Sequence, residues 1–90
     1  MTQIHKSIAL ALMATYQQHL AMAGNDHNNV ELGGHQVTLN VFADTLSEII
    51  QYRRILLNLG VWKKDIEYDF FHHDDITQDF HTLTYTINFE

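Results

Sequence analysis

The stretch Val30-Glu31-Leu32-Gly33-Gly34-His35-Gln36-Val37-Thr38-Leu39 decides how this chain folds. Apolar and polar residues alternate on both sides of a glycine pair. That is the period of a strand, and Gly33-Gly34 supplies the backbone freedom of a two-residue hairpin turn. Such a turn predicts Val30 opposite Val37 and Leu32 opposite His35, with Val30, Leu32, Val37 and Leu39 on one face. An antiparallel hairpin with one apolar face needs a covering layer, and the flanking segments provide candidates.

On the N-terminal side, Ile4, Ile8, Leu12, Tyr16 and Leu20 recur every four residues. The spacing predicts an amphipathic helix from about Thr2, as N-cap, to about Ala23, closed by Gly24. The same region imitates a secretion signal, with Lys6 before the apolar run 8–14 and Ala21-Met22-Ala23 as a small-residue site. The polar run Thr15-Tyr16-Gln17-Gln18-His19 interrupts it and favours the helix. No stretch approaches the roughly 20 apolar residues that span a bilayer, so a soluble protein is expected.

On the C-terminal side, Asn40 is the expected N-cap of a second helix. Its apolar stripe holds Phe42, Leu46, Ile49, Ile50, Leu56, Leu57 and Leu59, Gly60 closes it, and Trp62 is expected to pack back across its end. From Asp65 the period changes to two. Ile66, Tyr68 and Phe70 alternate with Asp65, Glu67 and Asp69, and later Leu83, Tyr85, Ile87 and Phe89 alternate with Thr82, Thr84, Thr86 and Asn88. The order α-β-β-α-β-β predicts one α+β domain over residues 1–90, a mostly antiparallel four-stranded sheet with both helices on one face. The pattern leaves the strand order open.

Composition agrees with a single folded domain: 90 residues, 46% hydrophobic and 18% charged, with no proline and no cysteine. A cysteine-free domain of this size is held by packing and suits a reducing cytosol.

Few residues suggest bond chemistry. His72, His73, Asp74 and Asp75 stand together in Phe70-Phe71-His72-His73-Asp74-Asp75. On an extended strand His72 and Asp74 point one way and His73 and Asp75 the other, so a single ion needs a turn there and a further ligand such as His81. Without a helical HxxxH or HExxH spacing, a solvated polar loop is the simpler reading, and no metal or cofactor is expected. His19 reads as a partly buried packing residue and His35 as the hairpin's end. The serines Ser7 and Ser47 lie in predicted helices without a GxSxG elbow, and Gly33-Gly34 joins two strands where a phosphate loop joins a strand to a helix. An enzyme is not expected.

Charge is distributed unevenly. Residues 1–64 hold all five basic residues (Lys6, Arg53, Arg54, Lys63, Lys64) and four acidic ones, a formal +1, whereas residues 65–90 hold seven acidic and no basic residues, a formal −7. Asp65, Glu67 and Asp69 form an expected row along one strand face, repeating every ~6.6 Å, and Asp74, Asp75 and Asp79 extend it. Solvation of the outer sheet face explains any one of these carboxylates. Seven without a compensating Lys or Arg favour a partner rich in basic residues, and their sign opposes direct binding of duplex DNA. Arg53, Arg54, Lys63 and Lys64 make a smaller basic patch near a helix C-terminus, with Tyr52 and Trp62 placed to stack on an unpaired RNA base or to meet an acidic partner.

In general character, as one acidic, cysteine-free and proline-free domain with a carboxylate row and no catalytic motif, the chain resembles the small phage-encoded anti-CRISPR inhibitors directed at type I-F surveillance complexes. Those inhibitors share no common motif, so no residue role follows from the likeness. The resemblance implies a stoichiometric, non-enzymatic inhibitor, in the cytoplasm of a host bacterial cell, that binds Cas subunits and keeps target DNA out. Asp65, Glu67 and Asp69 suit the members that present acidic surface to DNA-holding residues, and Arg53, Arg54, Lys63 and Lys64 those that touch guide RNA. Size and acidity fit a neighbouring class equally, an immunity protein or antitoxin that neutralises a basic nuclease toxin.

Overall fold

The computed structural model describes residues 4–71 and 80–90. Its elements are α1 (Lys6–Met22), β1 (Asn28–Leu32), β2 (Gln36–Ala43), α2 (Leu46–Asn58), a 3-10 turn (Lys63–Asp65), β3 (Ile66–Phe71) and β4 (Phe80–Asn88). This is the expected α-β-β-α-β-β succession. The four strands pair antiparallel in the order β1-β2-β4-β3, so β2 and β4 are central while β1 and β3 are edges.

Strand alternation builds the core. Val37, Leu39, Val41 and Ala43 of β2 are buried, and the register sets Val37 opposite Ile87 and Val41 opposite Leu83, also buried. Helix α1 lies over β1 and β2, and α2 over β2 and β4. They contribute Ala9, Met13, Tyr16 and Leu20 from α1 and Ile49, Tyr52 and Leu56 from α2 to one cluster.

The buried stripe of α1 differs from the expected one, since Ile8 is half-exposed while Ala9 and Met13 are sealed. A strict four-residue spacing rotates about 40° per step around a 3.6-residue helix, so a five-position run cannot hold one face. The proposed cap, Thr2, lies outside the described residues. The helix begins at Lys6 because Ile4 is still extended, bridged in parallel to Phe89.

The hairpin pairs Leu32 with Val37 and Val30 with Leu39, closed by a Gly33 N–H to Gln36 carbonyl bond of 2.8 Å. The loop is longer than the expected two-residue turn. Among the described residues only Gly24 and Gly60 have positive φ, so Gly33-Gly34 does not form the primed turn that two-residue hairpins favour. The register moves by an even number of residues, which leaves every side chain on its predicted face.

Asn40 does not cap a helix. It lies within β2, and the cap of α2 is Thr45, whose Oγ1 accepts from the Glu48 N–H at 3.2 Å and donates to Glu48 Oε1 at 3.0 Å. Phe42 accordingly belongs to a strand. Continued alternation through Ala43, paired to His81, outcompetes the earlier start. Gly60, at φ 101°, closes α2 as expected, but Trp62 is 66% exposed and Val61 fills the position beneath the helix end.

Replacing Leu39 by Ala should cost about 2–5 kcal/mol of unfolding free energy in urea titration, because a fully buried side chain is removed from between the sheet and the helices. Burial raises the pKa of Tyr16 and of Tyr85, and at Tyr85 the charges of Tyr16 and Asp65 add to the effect. The folded state therefore holds these protons more tightly than the unfolded chain. Stability from this source is full below the ordinary tyrosine value of 10.0 and is lost as pH rises through the higher folded values. Denaturation midpoints measured from pH 9 upward should fall, and Tyr16→Phe with Tyr85→Phe should flatten that decline.

Candidate functional site

As an edge strand, β3 presents two different faces. On the face away from the helices Glu67 and Asp69 are exposed, paired across to Thr84 and Thr82 of β4. Asp65 does not join them on the strand. Its N–H is held by the Trp62 carbonyl at 3.0 Å, which closes the 3-10 turn and leaves Asp65 exposed just before the row. The expected three-carboxylate strand row is thus two strand carboxylates and one at the turn. Asp74, Asp75, Asp79, His72 and His73 lie outside the described residues.

The open face continues across the sheet as uncharged polar rows. Asn40 Nδ2 donates to Asn29 Oδ1 at 2.9 Å, Thr84 Oγ1 donates to Asn40 Oδ1 at 3.5 Å, and the hydroxyls of Thr38 and Thr86 are bonded at 2.9 Å. Glu31, opposite Thr38, adds a carboxylate at the far edge. No described strand carries a Lys or Arg: Lys6 is on α1, Arg53 and Arg54 are on α2, and Lys63 and Lys64 form the 3-10 turn. Among the described residues the ion pair is His5 Nδ1 with Glu90 Oε2 at 3.8 Å, so Glu31, Glu67 and Asp69 have no cationic partner there. The charged side chains of the described strands are thus carboxylates, while the helices carry Lys6, Arg53 and Arg54 together with Glu48.

The helix-side face of β3 departs from expectation. The two helices were expected to cover the whole apolar face, yet Tyr68 is 46% and Phe70 50% exposed. Between α2 and β3 runs a groove of about 310 Å³, lined by Leu46, Ile49, Ile50 and Arg53 of α2, Ile66 and Tyr68 of β3, and Leu83 of β4. Tyr68 is fixed by a 2.7 Å hydrogen bond between its hydroxyl and His81 Nδ1, with the rings stacked at 17°, and Phe70 tilts against the same imidazole at 5.0 Å. His81 is thereby buried and engaged through Nδ1, while His72 and His73, with which it was weighed as a ligand, lie outside the described residues. Among the described residues no three metal-binding side chains converge.

The basic residues separate. Arg53 is half-buried against the groove and Arg54 is exposed, since consecutive helical residues point about 100° apart. Tyr52 is in the core and cannot stack on a base, whereas Trp62 is exposed with Lys64 Nζ 4.9 Å from its ring centroid. His19 is exposed and no packing residue. Sequence reading missed the groove. Its one signal was the aromatic pair Tyr68 and Phe70 on a strand not known to be an edge.

Changing Tyr68 to Phe should lower stability by about 0.5–1.5 kcal/mol, read from thermal unfolding, by leaving the His81 ring nitrogen without its partner. Comparison with protein families, curated proteins and solved structures finds no match for this chain.

Proposed function

We propose that this protein is a non-enzymatic inhibitor whose open sheet face occupies a basic, nucleic-acid-holding surface of its partner. The observation that supports this reading is a sheet face that carries carboxylates and no basic residue among the described strands. Glu31, Glu67 and Asp69 lie on a sheet face that has no Lys or Arg, with Asp65 beside it, and the described residues offer them no cation. Like charges held on one strand repel, and a Lys- or Arg-rich surface removes that repulsion on binding. Backbone pairing fixes Glu67 and Asp69 in place, so little conformational entropy is lost when they dock.

Under the resemblance to the type I-F inhibitors, the partner is the RNA-guided surveillance complex in a host cytoplasm. Its channel must be dense in basic residues to hold phosphates, and filling it prevents target DNA from entering. Steering by charge would set the association rate, and apolar contact from the half-exposed Phe71, stacked on Phe80 at 4.9 Å between ring centroids, would slow release.

The test is a pull-down with tagged protein from a bacterial lysate carrying an active type I-F system, followed by target-DNA binding of the recovered complex. Recovery of Cas subunits with guide RNA, with loss of DNA binding, is expected. The variant Asp65→Asn, Glu67→Gln, Asp69→Asn should weaken capture about tenfold or more, and raised salt should do the same. Unchanged capture by that variant, or capture insensitive to salt, overturns the reading. Recovery of a basic nuclease would reassign the partner and not the face.

A further inference from the structure

We infer that β3 is an acceptor for an added strand, and that its partner is an extended segment alternating apolar residues with Lys or Arg. Three observations converge on this edge. β3 pairs only with β4 among the described residues, so alternate N–H and C=O groups along Ile66–Phe71 face outward. The sheet's apolar face is uncovered here, leaving Tyr68, Phe70, Leu46 and Ile50 each about half exposed around the groove. The two faces of β3 also differ in charge.

A strand added beyond β3 would lie about 4.8 Å outward and send successive side chains to opposite faces. Those on the helix side would meet Ile66, Tyr68, Phe70 and the mouth of the groove. Those on the open side would stand opposite Glu67 and Asp69, where a cation is favoured. Arg53 lines the groove, so a Lys or Arg placed on the helix side is repelled, and the reversed alternation is excluded by the same charge. The apolar requirement follows from the groove alone, whereas the basic requirement rests on the acidic-face reading above.

A second copy of this chain fits poorly. Two β3 strands paired about a twofold perpendicular to the sheet keep their faces, so Glu67 would stand opposite Glu67 or Asp69 of the other copy, or beside Asp65. Like charges directly opposite destabilise the pair. Edge β1 is also a poorer acceptor. Its helix-side position Asn28 is already bonded to Gln17 and Asn25, and α1 lies above it.

The test titrates isotope-labelled full chain with a blocked heptapeptide alternating Lys and Val, followed by amide NMR shifts. Controls are the same residues in block order and two forms N-methylated on alternate residues, one set each. Expected are shifts along Ile66–Phe71 and at Leu46, Ile50 and Arg53, affinity about tenfold above the block-order peptide, and a loss of similar size in at least one methylated form. Equal affinity for alternating and block orders, equal binding by both methylated forms and the parent, or shifts confined to β1 each overturn strand addition. Equal, salt-sensitive affinity for both orders leaves the acidic-face reading intact, whereas failed capture of any basic partner beside a normal titration removes that reading and keeps the strand acceptor.

Discussion

Burial of Val37, Leu39 and Val41 along one side of β2 is the interaction on which the other elements depend. These three are sealed against Leu83 and Ile87 of β4 and the inward stripes of α1 and α2. Because strand side chains alternate, sealing that side commits Thr38, Asn40 and Phe42 to the other, where neither α1 nor α2 packs. The same alternation, carried through the register into β1, β3 and β4, makes the open face polar except at one end, where Phe42, Phe71 and Phe80 lie. One central strand thus fixes which side the helices occupy and which side is available to meet a partner.

Where the helix layer stops has a further consequence. Both helices contact β2, α1 reaching outward mainly to β1 and α2 mainly to β4. Strand β3 is paired but only partly covered, and its aromatic residues Tyr68 and Phe70 find partial shelter against His81 of β4. Edge strands with exposed apolar residues invite pairing with other chains, and proteins blunt them with charge. Glu67 and Asp69 do that here toward copies of the same chain. Under the strand-acceptor proposal the same two carboxylates would favour a basic strand, so one pair would both oppose self-pairing and select a complement.

At β3 two carboxylates, Glu67 and Asp69, lie on one face and the exposed Tyr68 and Phe70 on the other. Charge on an exposed face mainly governs encounter and selectivity, while buried apolar contact governs how long a complex lasts. An edge that has the first on one side and the second on the other combines both within a six-residue strand. The positive charge, held on the helical side by Lys6, Arg53 and Arg54 and in the turn by Lys63 and Lys64, keeps the open face free of internal neutralisation.

The sequence by itself determined the element types and their order, the faces of the strands except for residues 40–43, the glycine ends of both helices and the excess of carboxylates from residue 65 onward. Each is a local property: a period of two or near four, a residue tolerant of positive φ, a count of charges. Face assignment survived even the mistaken hairpin turn, because an even shift in register preserves it. Tertiary structure decided what depends on distant partners. Pairing with β4 kept Asn40 and Phe42 in a strand, Phe89 held Ile4 extended, and the 3-10 turn withdrew Asp65 from the carboxylate row. The order β1-β2-β4-β3 made β3 an edge, and the position of α2 left the groove beside it open. Alternation along a chain says which side of a strand is apolar, but coverage of that side depends on how two helices are spaced across a sheet, and no local pattern encodes that spacing.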